Sequence, residues 1–326
     1  MRICIYGAGA IGGYLAAFLA RAGLPVCVIA RGAHLAAIRT QGLTLEYPGE
    51  RFTAHPHATD DPASLGVQDV VIVTVKAPAL PSVAAGLATL LGPRSTAVFL
   101  TNGIPWWYYM GHGGADEGRR LPLLDPGDAL WRAVGPERLL GGIAWPASAV
   151  PSPGLVRMVG VPKRGCEIGT PDGRDSPALA ALAETFAAAG LVLKVNPRIR
   201  EEIWRKLAFN LSAGPLCVLT RAPVRDTQAE PALVAASRAL IAEAQALIRA
   251  MGFDPGLDAE EIVAMNERLP HRPSILQDLL AGRAMEIDAL YTVPLEMARR
   301  AGVAMPVLEL LAALIRVQAG VPQPTA

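Results

Sequence analysis

Arg2-Ile3-Cys4-Ile5-Tyr6-Gly7-Ala8-Gly9-Ala10-Ile11-Gly12-Gly13-Tyr14 opens the chain with a short apolar run, a glycine-rich turn and the start of a second apolar pattern. Ile3 to Tyr6 has the composition of a buried strand, and Ile11 to Ala22 repeats its apolar residues at helical spacing until Gly23. Gly7, Gly9 and Gly12 between them form G-x-G-x-x-G. The first glycine permits the tight strand-to-helix turn, the second lets backbone approach a pyrophosphate, and the third lets helix pack close to strand. A helix N-terminus presents free N–H groups and partial positive charge to phosphates. Strand, turn and helix in this order predict a dinucleotide site, with Gly7, Ala8, Gly9, Ala10, Ile11 and Gly12 as its phosphate-side contacts.

Outward from this unit, Val26 to Ala30 is a second strand and completes a βαβ pattern. A site selecting NAD usually carries Asp or Glu at that strand's end to hold the ribose 2′-hydroxyl. No acidic residue precedes Glu46, and the strand ends in Arg31-Gly32. An arginine there can pair with a 2′-phosphate through its planar fork, so NADP(H) is the expected cofactor. Leu43, Leu45 and Tyr47 alternate with polar residues before Pro48-Gly49, which predicts a hairpin decorating the sheet. His55 and His57 follow with no carboxylate or cysteine at ligand spacing; they read as solvated loop histidines, and no metal site is expected.

Val70 to Val75 is a continuous β-branched run ending at Lys76, and a helix around Leu80 to Leu91 precedes a strand from Thr96 to Leu100. Ligands of open α/β sheets bind beyond the carboxyl ends of the strands, which brings Lys76 and Asn102-Gly103 to the cofactor edge. Pro105-Trp106-Trp107-Tyr108-Tyr109 then opens a long Gly-, Pro- and Arg-containing segment reaching Gly141. Its aromatics suit a lid or apolar substrate wall, or an interface patch between copies. Strand-like pieces resume from Ile143 to Ile168, one more helix spans Pro177 to Ala189, one more strand spans Leu191 to Val195, and Asn196-Pro197 reads as a linker.

Beyond Pro197 the strand pattern stops. Ile199–Thr220, Pro231–Met251, Asp258–Leu269, Ser274–Ala281 and the segments from Ile287 onward are predicted helices, punctuated by Gly252, Gly282 and Gly302. The expected fold is an α/β Rossmann-type N-terminal domain, residues 1–197, followed by an all-α C-terminal domain, residues 198–326.

Composition bounds the rest. The 326 residues are 52% hydrophobic and 18% charged, which supports a sizeable core and excludes a disordered chain. A net charge of +1 argues against nucleic acid or an anionic membrane as partner. The four cysteines are scattered and read as small core residues of a reducing compartment. The apolar helices are interrupted by charges such as Arg21, Arg238 and Glu243, so a cytoplasmic location is expected.

The helical half carries candidate chemistry. Lys206 and Asn210 are four apart and share a helix face, amid apolar Leu207, Ala208 and Phe209. A lysine so placed can act as a proton donor, while the same spacing also suits a lysine on a solvated helix face. Ser274 is a candidate helix N-cap. Glu286 and Asp288 flank Ile287 and could cap a helix or face a substrate.

Together these residues resemble the ketopantoate reductase family (2-dehydropantoate 2-reductases). The likeness covers nearly the whole chain: the GAGAIGG turn, Arg31, Lys76, Asn102-Gly103, the Lys206-x-x-x-Asn210 helix and the SILQDLLAGRAMEID segment from Ser274 to Asp288. It implies a helical domain like those of 6-phosphogluconate dehydrogenase relatives, an active site in the cleft between the domains, and NADPH-dependent reduction of a small 2-oxo acid, ketopantoate in pantothenate biosynthesis. It further implies Lys206 as general acid, Glu286 as the residue that positions substrate or lysine, Asn210 and Ser274 as substrate contacts, and Asn102 with Lys76 at the nicotinamide end. A homodimer is compatible with the large helical half.

Two positions depart from the family's pattern. Gly214 stands where a second asparagine usually follows the first by four residues, and His271 stands where another usually precedes the serine by three. Loss of both amides would remove hydrogen bonds to a hydroxylated substrate and points toward a more apolar 2-oxo acid as the alternative. A non-catalytic NADP-binding sensor is the reading from a different class, and it predicts cofactor binding without turnover.

Overall fold

The computed structural model describes residues 1–160, 165–254 and 256–320, so part of the strand run expected through 143–168 and the end of the last expected helical stretch lie outside the described residues. In chain order the strands are β1 (Ile3–Tyr6), β2 (Val26–Ile29), β3 (Leu43–Tyr47), β4 (Glu50–Ala54), β5 (His57–Thr59), β6 (Gln68–Val73), β7 (Leu91–Leu100), β8 (Leu139–Ala144), β9 (Ser148–Ser152), β10 (Leu155–Met158), β11 (Cys166–Gly169) and β12 (Leu193–Val195). The helices beside them are α1 (Ala10–Arg21), α2 (Gly32–Gln41), α3 (Ala84–Leu90), α4 (Ala129–Val134) and α5 (Pro177–Ala188). The chain divides into two compact units, one of Met1–Thr101 with Trp106–Ile199, the other of Asn102–Pro105 with the chain from Arg200 onward.

The first unit is built on an eight-stranded sheet of order β12-β11-β8-β7-β6-β1-β2-β5. Its pairings are parallel except between β8 and β11. Strands β1, β2 and most of β6 are apolar and buried along their length, as expected where helices cover both faces. Register fixes what emerges at the edge: Ile3 lies opposite Val26 and Val70, and Tyr6 opposite Ile29 and Val73. The three strands therefore end level, and the glycine turn, Arg31 and Val75-Lys76 leave from one edge.

The Leu43–Ala54 hairpin belongs to a second, four-stranded sheet of order β4-β3-β10-β9 rather than to the main one. Helix α1 is buried over most of its length because this sheet covers it: Phe18 stacks on Tyr47 at 6.1 Å and meets Phe52 edge-on at 5.7 Å. His57 opens β5 instead of lying in a loop, paired in register with Cys27. The helix expected from Leu80 is a 3-10 segment, Ala77–Val83, before α3, because Pro78 and Pro81 remove two N–H donors and break α-helical pairing. All four cysteines are free and buried.

The aromatic segment is core rather than lid or interface. Trp106, Trp107, Tyr108 and Tyr109 are all nearly inaccessible. Trp106 lies edge-on to Phe99 at 5.2 Å and to Trp131 at 6.3 Å, and the Trp107 ring fills the space a side chain at Gly141 would need. Arg120 places its guanidinium 3.2 Å above the Trp131 ring and closes the cluster.

The second unit consists of α6 (Ile199–Thr220), whose first residue still belongs to the first unit, then α7 (Val224–Thr227), α8 (Pro231–Ala250), α9 (Ala259–Asn266), α10 (Ser274–Leu280), α11 (Val293–Arg300) and α12 (Pro306–Ala319). A π-helical turn, Asp288–Thr292, runs directly into α11. This α/β unit and helical unit are the architecture expected from the sequence. Among the described residues one helix, α8, is long and apolar enough to cross a membrane by length and composition, contrary to the expectation that charges disqualify every helix. Its pattern is nevertheless that of an amphipathic core helix: Leu240, Ile241, Ala244, Leu247 and Ile248 are buried, Arg238 pairs with Glu260 at 2.7 Å, and Glu243 accepts from the N–H groups of Val307 and Leu308 at the start of α12.

Candidate active site

The glycine turn shows the three expected geometries. Gly7 has φ +104°, and a Cβ there would lie 2.7 Å from Val75 Cγ1. A Cβ on Gly12 would strike the Gly7 carbonyl oxygen and the Thr74 hydroxyl, so only glycine lets α1 settle against β1. Gly9, by contrast, faces open space. The N–H groups of Gly7 and Ala8 both donate to Ile29 O, at 3.0 and 3.2 Å, which fastens the turn to β2. Gly9 is the N-cap of α1, offers no capping side chain, and no acidic residue stands in the first turn. The positive end of the helix is thus left for an external anion, and the bare face of Gly9 is where a pyrophosphate would approach.

A cavity of about 210 Å³ adjoins this turn, lined in part by Tyr6, Gly9, Ala30, Arg31 and His34. Arg31 is the exposed N-cap of α2, and its charge near the Tyr6 phenol partly offsets burial, which holds that phenol above its ordinary value. His34, in the first turn of α2, is a residue sequence reasoning passed over. Its Nε2 lies 2.7 Å from Ala8 O, and its Nδ1 accepts from Gly154 N–H at 3.0 Å. With Nδ1 an acceptor, the proton sits on Nε2 and is donated to the glycine turn. The signal was its place three residues beyond Arg31, one helical turn away on the same face. Lys76 follows β6 as the N-cap of the 3-10 segment. The residues present therefore fit a dinucleotide: open backbone and a helix terminus for the phosphates, and a guanidinium at the ribose end.

The helical unit gathers the remaining candidates. Asn102, though it follows β7 in sequence, belongs to this unit and donates from Nδ2 to Glu286 Oε2 at 3.0 Å. Glu286 is buried, 2% exposed. The next residues are tied to the same place: Ile104 N–H donates to Ala289 O at 2.8 Å, and Gly103, at φ +73°, leaves no room for a Cβ against the Ala289 backbone. On α6, Lys206 and Asn210 are half-buried, while Gly214, four residues further on the same face, is buried. Gly214 faces Ile275 at the start of α10 and the hydroxyl of Tyr291 in the π-helical turn.

Ser274 is not the N-cap of α10. Pro273, held at φ −62° and ψ 156°, takes that position, and Ser274 becomes the first helical residue, exposed and with no capping bond. Its hydroxyl is left on the surface beside Ile275. Burial pushes the His271 imidazole below its ordinary value, so it stands neutral at pH 7. Among the described residues, no group of three His, Cys, Asp or Glu side chains is placed to hold a metal ion.

A glycine turn opening on a helix N-terminus of a largely parallel sheet, with a helical unit carrying its own lysine, amides and buried carboxylate, is the make-up of a two-unit oxidoreductase dependent on NAD(P)H. The comparisons with known proteins narrow that class. Residues 3–173 match the model of ketopantoate reductase PanE/ApbA, and residues 198–319 match that of its C-terminal part. The 2-dehydropantoate 2-reductase of Mesorhizobium japonicum is 41% identical over 319 residues, 97% of each chain. Among solved structures, a candidate ketopantoate reductase from Ralstonia solanacearum superposes with TM-score 0.90 at 40% identity, covering 98% of this chain and 99% of that one. The 2-dehydropantoate 2-reductase from Geobacter metallireducens gives 0.84 at 27%, covering 98% and 100%. The chain belongs to the ketopantoate reductase family and is, with that family, an oxidoreductase of 2-oxo acids.

Proposed function

We propose that the protein reduces ketopantoate (2-dehydropantoate) to pantoate at the expense of NADPH. The observation that carries this reading is the joining of Asn102 to the buried Glu286, in the same unit as the Lys206–Asn210 face. A sensor of cofactor has no use for a proton donor and a buried carboxylate of this kind.

The α1 N-terminus and Gly9 would hold the pyrophosphate, and Arg31 the 2′-phosphate that separates NADPH from NADH. The bound cofactor supplies hydride to the keto carbon. Charge then develops on the keto oxygen, and Lys206 Nζ stabilises it and donates the proton that completes the alcohol. Asn210 and Ser274 orient substrate oxygens, and Glu286, fixed by Asn102, positions substrate or lysine.

The test is NADPH oxidation by purified protein with ketopantoate, alongside Lys206→Ala and a panel of other 2-oxo acids. Turnover of ketopantoate, lost in the lysine variant, is the expected result; tight NADPH binding without turnover of any 2-oxo acid would overturn the reading. A more apolar 2-oxo acid is the second reading, favoured by the absence of a side chain at Gly214.

A further inference from the structure

A buried hydroxyl without a partner is costly, so a native one calls for an explanation. The Tyr291 hydroxyl is such a group: the residue is 1% exposed and its Oη finds no hydrogen-bond partner. Its surroundings say where the hydroxyl points. A Cβ built on Gly214 would lie 3.4 Å from Oη and 3.8 Å from Ile275 Cγ2. Gly214 continues the face that begins with Lys206 about two turns and Asn210 about one turn earlier on α6. The face thus runs from the half-buried ammonium, past an amide, to a buried phenol. Tyr291 also sits within the π-helical turn Asp288–Thr292, five residues beyond Glu286. Single π-turns inside helices are frequent at functional sites, because the extra residue re-aims a side chain.

We propose that Tyr291 is a specificity-determining residue, whose hydroxyl meets, beside Gly214, a hydroxyl carried on the far end of the 2-oxo acid substrate. This rests on the reading of the protein as a 2-oxo acid reductase and deepens it. The substrate's keto end lies toward Lys206, and its tail extends along the α6 face toward Gly214. With no side chain at Gly214, no group of α6 stands between this face and Oη, and a polar tail that displaces the packing over it would satisfy the orphan hydroxyl. Burial also raises the Tyr291 phenol well above its ordinary value, so it remains protonated and able to donate throughout the working range. Without that hydroxyl, the glycine would leave this end of the α6 face apolar.

The experiment compares ketopantoate with trimethylpyruvate, the same carbon skeleton lacking the hydroxyl, in wild type, Tyr291→Phe and Gly214→Ala. The readout is the ratio of kcat/KM for the two acids. Tyr291→Phe should lower that ratio about tenfold, the loss of one hydrogen bond to a substrate hydroxyl. Gly214→Ala, whose methyl would sit in ordinary contact with Oη, should lower it in the same direction. Thermal unfolding of Tyr291→Phe should occur at or above the wild-type temperature, since the variant removes an unsatisfied buried group. An unchanged ratio, or equal falls for both acids with a lower unfolding temperature, would show the hydroxyl to be structural and overturn the inference. Wild type that turns over neither these nor any other 2-oxo acid would instead overturn the reading on which it rests.

Discussion

Asn102 and Glu286 stand 184 residues apart in sequence, and the Asn102 amide donates to the Glu286 carboxylate at 3.0 Å. The bond gives a buried carboxylate a fixed donor and so fixes its orientation. Asn102→Ala removes that donor and should cost about 1–3 kcal/mol of stability, read from urea unfolding midpoints. Turnover should fall more steeply than NADPH affinity, because the nucleotide turn is untouched. Unchanged stability and unchanged turnover would mean that Glu286 is held by other groups alone.

Lys206 is the proposed proton donor. Replacing it with alanine should lower kcat by about 10²–10⁴ while leaving NADPH binding, followed by nicotinamide fluorescence, within about twofold. A variant that keeps wild-type kcat would remove Lys206 from the chemistry.

Arg31 should discriminate between cofactors. Arg31→Ala should raise KM for NADPH by about tenfold or more through loss of a charge-assisted contact to the 2′-phosphate, with KM for NADH changed much less. Equal changes for both would place the arginine elsewhere on the dinucleotide.

Glu167 provides a pH signature independent of the active site. Burial pushes its carboxyl up, but the ion pair with Lys194 at 2.9 Å and the hydrogen bonds from Asn196 and Trp145 outweigh this and hold it below its ordinary value. A carboxyl depressed in the folded state contributes stability above its unfolded pKa of about 4.3, and loses it as pH falls through the lower folded value. The stability difference between wild type and Glu167→Gln should therefore be largest near neutrality and shrink below about pH 4. A difference that grew on acidification would contradict the assignment.

Gly141→Ala tests the burial of the tryptophan cluster. The new methyl would collide with the Trp107 ring, a rigid group inside the core, and should destabilise the protein by about 1–3 kcal/mol or more. No loss of stability would show that the ring has room to move.

Much of this architecture was legible because its causes are local. The strand–glycine–helix order at Ile3–Ala22, the β-branched run at Val70 and the shift to helical periodicity after Pro197 each follow from neighbouring residues. The expectation for Arg31 rests on the same logic, since a missing carboxylate near a strand end is visible in a single stretch. What escaped depended on residues far apart. Nothing near Trp106 announces that Phe99, Trp131 and Gly141 will enclose these aromatics, so their exposure was misjudged. His34 gains its meaning from Ala8 and Gly154, and Tyr291 from Gly214. The N-cap expected at Ser274 failed for a nearer reason: the proline before it takes the capping position. The hairpin at Leu43–Ala54 was recognised as a hairpin, but its sheet partner, β10, lies about a hundred residues further on.

The chain enters the helical unit at Asn102, leaves it after Pro105 and returns only at Arg200. Severing the gene near Pro197 would consequently divide the helical unit between two fragments. The C-terminal piece would lack the amide that holds Glu286, and the N-terminal piece would carry a tetrapeptide whose hydrogen-bonding partner, Ala289, had been discarded. A recombination event that swapped the helical half for a relative's would also have to match four residues encoded nearly a hundred codons upstream.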